Sequence, residues 1–283
     1  MTLTVFLAVL LAAALHASWN ALVKGGQDMW VNMAGVVLGH TPMALIVLFF
    51  VPMPAPESYP YILAGIALHF GYQLFLLQSY RIGDLTQVYP IARGIAPLIV
   101  AGVSTMALGV VLERMELLAI GLIAAGIMSL SLVRKSDGTR NHVAALLAAI
   151  TGCFIASYSL NDGMGARVAG TALGFYGWVA LGNAIVFALY LSVTRRQVFA
   201  QLGRGQGLRV MVIGGTASYL AYAIVTWSFT QAPIALVTAL RETSIIFALL
   251  IGVGFLKERL DLFKVASTFL TICGAALLRL ARP

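Results

Sequence analysis

The chain has 283 residues, of which 60% are hydrophobic and only 10% charged, and its mean hydropathy is +0.94. A soluble globular domain of this size does not carry such a composition, so the chain belongs in a membrane. Its net charge of +8 would suggest nucleic acid in a soluble protein, but the Lys and Arg residues lie mostly in short connections between apolar stretches, where topology explains them and no nucleic-acid partner is expected.

A spanning helix needs roughly 20 apolar residues at ~1.5 Å rise each. The first stretch, 3–23, lacks the basic start of a signal peptide and is followed closely by others, so it reads as a retained helix. It carries His16, Trp19 and Asn20 on one face, with Lys24 a turn further on, a stripe that should face protein or water rather than lipid. For His16 the alternatives are packing and proton relay; for Trp19, packing and a stacking wall for a substrate. The second stretch, 31–51, contains Gly35 and Gly39 and ends at Pro52-Met-Pro-Ala-Pro56. The third, 59–80, repeats the helical spacing with His69, Tyr72 and Gln73. In the fourth, 87–111, Arg93 shares a stripe with Thr86 and Tyr89 and is bracketed by Pro90 and Pro97, which could free backbone carbonyls. An ionisable group in a span costs about 2.5–3.5 kcal/mol on insertion scales, so Arg93 requires a partner or an aqueous cavity. It either binds an anionic solute or serves structure by snorkelling or pairing across helices.

The fifth stretch, 115–133, leads to Arg134-Lys-Ser-Asp-Gly138. The sixth, 142–161, sets Ser157 with Asn161 and Tyr158 with Asp162; because Gly163 and Gly165 follow, Asp162 is expected in a helix-end loop. The seventh, 170–193, opens with Gly170 and Gly174, an echo of Gly35 and Gly39 that predicts close helix packing, and ends before Arg204-Gly-Gln-Gly207. The eighth, 209–230, carries Ser218, Tyr219 and Tyr222; the ninth, 233–256, carries Arg241 and Glu242; the tenth is 262–280. Adjacent residues on a helix point about 100° apart, so one of Arg241 and Glu242 should face a cavity and the other a neighbouring helix. Glu242 is the candidate proton carrier, with permanent pairing to Arg93 or Arg241 as the alternative. Polar faces on spans one, three, six and eight suggest one shared cavity. Cys153 and Cys273 lack metal spacing and are expected as buried, inert thiols; no metal and no cofactor is expected.

The two halves of the chain echo each other. Leu112-Glu113-Arg114 after the fourth span matches Lys257-Glu258-Arg259 after the ninth, Arg93 matches Arg241, and Ala17-Ser18-Trp19 matches Ala156-Ser157-Tyr158. Glu113 and Glu258 are expected to cap or pair within their loops. With five spans per half, the second half crosses the membrane in the opposite sense, so the expected fold is an all-α membrane protein of ten transmembrane helices in two inverted repeats, residues 1–137 and 138–283. Connections on one side carry 12 Lys and Arg and the other side four, which places both termini outside the cytoplasm.

The paired Leu-Glu-Arg and Lys-Glu-Arg loops, the paired Arg helices, the opening His16-Ala-Ser-Trp-Asn20 and the five-plus-five layout resemble the EamA family of the drug/metabolite transporter superfamily over essentially the whole chain. That resemblance implies a multi-pass carrier of the inner (plasma) membrane with a central cavity, moving a metabolite or drug, usually outward and often in exchange for protons. It also implies cytoplasmic termini, against the charge count. On this reading the substrate-binding candidates are Arg93, Arg241, Tyr89, His16, Trp19, Asn20, His69, Gln73, Tyr158, Tyr219 and Tyr222, and the partners are a small polar, anionic or zwitterionic solute, the lipid bilayer and a coupling proton. A monomer is compatible with this scheme. A flippase for a lipid-linked headgroup would fit the same layout. A membrane enzyme is disfavoured, since no His-Glu-x-x-His, Gly-x-Ser-x-Gly, Asp-pair or Walker motif occurs.

Overall fold

The computed structural model describes residues 1–24, 28–83, 85–129, 141–254 and 262–281. Helices occupy the expected stretches: α1 (Leu3–Lys24), α2 (Met29–Phe50), α3 (Tyr59–Ile82), α4 (Leu85–Met106), α5 (Arg114–Ser129), α6 (His142–Val168) and α7 (Ala172–Thr194) in the first two thirds. Two short helices follow, α8 (Gln197–Leu202) and α9 (Gly205–Arg209), then a π-helical turn (Val210–Gly214), α10 (Gly215–Gln231), α11 (Ile234–Arg241), α12 (Ser244–Gly254) and α13 (Leu262–Ala281). Among the described residues eight stretches are long and apolar enough to cross a membrane. Large apolar side chains stand exposed on the outer faces, Met106 at 90% and Phe49 at 82%. Hydrocarbon solvates such a surface and water does not, which makes this an all-α, multi-pass membrane fold.

Helix ends are fixed by local chemistry. The Asp28 carboxylate accepts from Trp30 and Val31 N–H at the start of α2, Asn141 Oδ1 accepts from Ala144 N–H at the start of α6, and Thr171 Oγ1 accepts from Gly174 N–H at the start of α7. Arg167, at the end of α6, donates to the carbonyls of Phe229 and Ala232, both at 2.9 Å, and so satisfies the C-terminus of α10. In the loop after α4 the cap is Glu116: its Oε2 accepts from Glu113 N–H at 2.9 Å. The matching Lys257-Glu258-Arg259 segment, the 137/138 boundary and the basic residues Arg134, Lys135 and Arg140 lie outside the described residues, as do the side chains of Lys24 and Thr86.

The helices associate in a regular pattern. α6 packs on α3 and α4, α1 packs on α10, α11 and α12, α2 faces α7, and α5 faces α13. Small residues permit the closest approaches. A Cβ at Gly39 would overlap the Met211 carbonyl oxygen and lie 3.0 Å from the Gly215 Cα, so α2 meets the π-turn and α10 backbone to backbone. Gly39→Ala is therefore expected to destabilise the protein by about 1–3 kcal/mol through overpacking, read as a lower thermal unfolding midpoint in detergent; an unchanged midpoint would contradict the contact.

Several sequence expectations are corrected here. Gly170 does not pack a helix: its φ of 70° marks the turn between α6 and α7, with open space where a Cβ would stand. The fourth span ends at Met106 rather than 111, because the chain turns there through Gly109 at φ 64°. The ninth span is not continuous but breaks at Glu242–Thr243. Cys153 is exposed on α6 and Cys273 half-buried, so the former is not a buried thiol.

Candidate functional site

The break in the ninth span builds the site. After Arg241 the backbone tightens into three-residue turns, with Glu242 N–H bonding the Ala239 carbonyl and Thr243 N–H that of Leu240. Thr243 Oγ1 donates to the same Leu240 carbonyl at 2.7 Å, and Ile245 and Ile246 N–H bond the Glu242 and Thr243 carbonyls, so these backbone groups stay paired across the interruption. The expectation that they face apart fails: Arg241 Nη2 stands 3.6 Å from Glu242 Oε1, while Glu242 also reaches across to α4.

Arg93 is held from α1, from α12 and from the break between α11 and α12. Its Nε donates to Glu242 Oε2 at 2.6 Å, its Nη2 to Ser244 Oγ at 3.3 Å, and its Nη1 lies 3.0 Å from His16 Nε2 on α1. Its guanidinium carbon sits 5.7 Å above the Tyr89 ring. α4 continues as a helix through Pro90 and Pro97. Arg93 is 6% exposed, Arg241 3% and Glu242 2%. The guanidinium of Arg93 is thus satisfied by protein. That of Arg241 is not, for among the described residues its Nε and Nη2 lack a hydrogen-bond partner, as does Glu242 Oε1. Among those residues two guanidiniums share one carboxylate, leaving one buried positive charge in surplus.

His16 has two donors facing it: Arg93 Nη1 at Nε2 and Trp19 Nε1 at Nδ1, the latter 3.3 Å away. A neutral imidazole has one acceptor nitrogen, so only one of these is a hydrogen bond. The shorter, charge-assisted contact from Arg93 takes it. Asn20 turns back on its own helix, donating to the His16 carbonyl at 2.7 Å, and so does not project into the site.

His69, Tyr158 and Tyr222 form a second group around Asp162. His69 Nε2 lies 2.8 Å from Asp162 Oδ2, Tyr222 O–H donates to the same oxygen at 2.8 Å, and Asn161 Nδ2 donates to Asp162 Oδ1 at 3.0 Å. The His69 ring stacks on Tyr158 at 4.3 Å and meets the edge of Tyr222 at 5.3 Å. Tyr219 lies in a further aromatic layer with Tyr176 and His40. Gln73 is buried with its Oε1 unpaired. Spans three, six and eight thus face both groups: they supply His69, Asp162 and Tyr222, and their Tyr72, Tyr158 and Tyr222 also lie within the fields of Arg93 or Arg241. Tyr158 lies between the two groups along α6 and feels the charges of Arg241, Arg93, Glu242 and Asp162, while Tyr222 feels both Arg241 and Asp162.

Asp162 is the main residue misplaced by sequence reasoning. It is fully buried within α6, which continues past it to Val168. Gly163 and Gly165 are present for packing, since a Cβ on the first would strike Ile234 and on the second Phe175 and Tyr61. The i, i+4 pairing of Tyr158 with Asp162 was the available signal. Ser244 and His40 had none beyond being polar residues in apolar stretches. A broad open depression lined by Arg114, Leu117, Leu118, Gly121 and Leu122 is separate from both groups.

Long apolar helices enclosing paired charges and a surplus guanidinium define a multi-pass membrane protein with a polar centre. Residues 141–280 match the EamA-like transporter family, which supports assignment of the chain to the EamA family of the drug/metabolite transporter superfamily. It is accordingly a membrane transporter of the EamA type and not an enzyme. No curated protein matches the sequence. A solved structure described only as "Crystal structure of protein" is 19% identical and superposes with a TM-score of 0.77, covering 99% of this chain and 98% of that one, a likeness of fold alone.

Proposed function

We propose that the protein is a secondary transporter of the inner (plasma) membrane, exporting a small anionic or zwitterionic metabolite or drug by alternating access of two inverted five-helix halves. The observation that carries this reading is the buried Arg241 guanidinium, whose Nε and Nη2 have no hydrogen-bond partner among the described residues, beside a carboxylate already bound to Arg93. Leaving such donors unpaired in a membrane interior is costly, and an acidic group on a solute would supply what the protein does not. Discontinuous helices at a mid-membrane site are a recurring feature of carriers, and the ninth span breaks at this residue.

The packing supports the inverted repeat. Exchanging each helix for its counterpart in the other half turns the contact of α6 with α3 and α4 into that of α1 with α10 and with α11–α12, and leaves α2·α7 and α5·α13 unchanged. Arg93, Arg241, Tyr89, His16 and Trp19 then lie at the anion-binding end, with Tyr158 as the wall towards His69, Tyr222, Gln73 and Tyr219. Glu242 acts as the internal counter-ion that an incoming acidic group displaces from Arg241; to act as a proton carrier it would also have to leave Arg93.

Purified protein in liposomes, offered labelled glutamate, leucine and lysine in turn, tests the class. Saturable uptake of the acidic or zwitterionic probe with exclusion of lysine is expected. Movement of a fluorescent lipid reporter with no flux of any of the three would favour a lipid flippase instead.

A further inference from the structure

The cluster of His69, Asp162 and Tyr222 is titratable, buried and unused by the guanidinium site. Its separation can be measured along the helices. α4 runs parallel to α6: Gly83, just before α4, lies against Ala144 and Gly152 against the Ala92 carbonyl, so the backbone of Arg93 is level with that of Cys153. Asp162 lies nine residues further along α6, about 14 Å at helical rise. Tyr158 stands between them.

The two sites differ in kind. A guanidinium–carboxylate pair has fixed charge, because arginine does not release its proton in proteins. An imidazole–carboxylate pair does not. With neutral His69 donating from Nε2 to Asp162 Oδ2, the pair carries one negative charge; a proton taken from bulk water onto the other ring nitrogen makes an imidazolium–carboxylate pair with none. The His69 side chain is 13% exposed, whereas Asp162 is fully enclosed. Around the pair stand the phenols of Tyr158 on α6, Tyr176 on α7 and Tyr222 on α10, with Tyr72 of α3 beyond Tyr158. His40 of α2 lies behind Tyr176 and Tyr219. The nearest fixed charges are Arg241, Arg93 and Glu242, all acting on Tyr158, with Arg241 acting on Tyr222 as well. Among the described residues no Lys or Arg forms an ion pair with Asp162, so its ionic partner is the imidazole.

The cluster also joins the two parts of the chain: His69 comes from α3, Asp162 from α6 and Tyr222 from α10. We infer that the His69–Asp162 pair is a proton-binding site, distinct from the guanidiniums, and that its protonation fastens α3 to α6 and α10. This rests on the carrier reading for its role in transport, but the binding of the proton does not.

The test uses the full chain in lipid nanodiscs with ¹⁵N-labelled histidine, followed by NMR as pH is varied. One titration step should vanish in His69→Gln and persist in Glu242→Gln. In Asp162→Asn the proton affinity of His69 should fall about tenfold or more, because an adjacent opposite charge is lost. Tyr222→Phe keeps the carboxylate but frees it from the phenol, so it should bind the proton more tightly; this variant decides the matter if Asp162→Asn does not fold. Absence of a His69 step in the wild type, or unchanged affinity in the folded variants, would overturn the proposal. A His69 step without flux of any charged or zwitterionic probe would sink the carrier reading and leave the proton site standing.

Discussion

Glu242→Ala is expected to destabilise the folded protein by about 3–5 kcal/mol, the range seen when one member of a buried ion pair is removed, and to cost more than Arg93→Ala. The carboxylate is bound to Arg93 Nε at 2.6 Å and lies 3.6 Å from Arg241 Nη2, and among the described residues no other carboxylate pairs with either guanidinium. Without it, two buried positive charges face each other with no counter-ion. Without Arg93, Glu242 still has Arg241 beside it, so the loss is partly compensated. A volume-matched double replacement, Arg93→Met with Glu242→Met, should recover much of the stability. Thermal unfolding in detergent reads all three. A Glu242→Ala protein as stable as the wild type would show that the pair contributes nothing net.

Arg241→Ala should do the reverse, reducing solute binding about tenfold to a hundredfold while changing stability little. A hydrogen bond to a charged group is worth about 1.5–3 kcal/mol, which converts to that range of affinity. Stability is spared because the Arg241 Nε and Nη2 donors have no hydrogen-bond partner among the described residues to leave behind, and Glu242 retains Arg93. Arg241→Lys keeps the charge without the planar fork and should fall between the two. Binding and unfolding measured on the same preparations separate the effects. Equal loss of folding in both variants would mean that Arg241 is a structural residue. The sequence had treated Arg93 and Arg241 as equivalents; only the arrangement of their partners distinguishes a satisfied guanidinium from an unsatisfied one.

What could be read from the sequence follows from how strongly each feature is encoded locally. Apolar stretches of membrane length are a property of composition, and the helices fall upon them. Buried charges such as Arg93 and Glu242 stand out because a membrane interior disfavours them. The break after Arg241 was not legible, since Arg241-Glu242-Thr243-Ser244 contains neither Gly nor Pro, and the interruption is held by the Arg93–Glu242 contact and the Thr243 hydroxyl rather than by backbone preference. Asp162 failed for the opposite reason. Gly163 and Gly165 look like helix breakers, whereas they are small because Ile234, Phe175 and Tyr61 come from distant parts of the chain to occupy the space. Local signals lose to tertiary contacts at both places, and both are where the candidate chemistry lies.

The central claim is that Arg241 receives the acidic group of a transported solute. An experimental structure of the full chain, determined in lipid with a solute it transports, tests this most directly. Solute oxygen atoms are expected about 2.7–2.9 Å from Arg241 Nε and Nη2, the spacing of charge-assisted hydrogen bonds, with Glu242 still bound to Arg93. Solute held elsewhere, with the Arg241 donors unchanged from the empty protein, would contradict it.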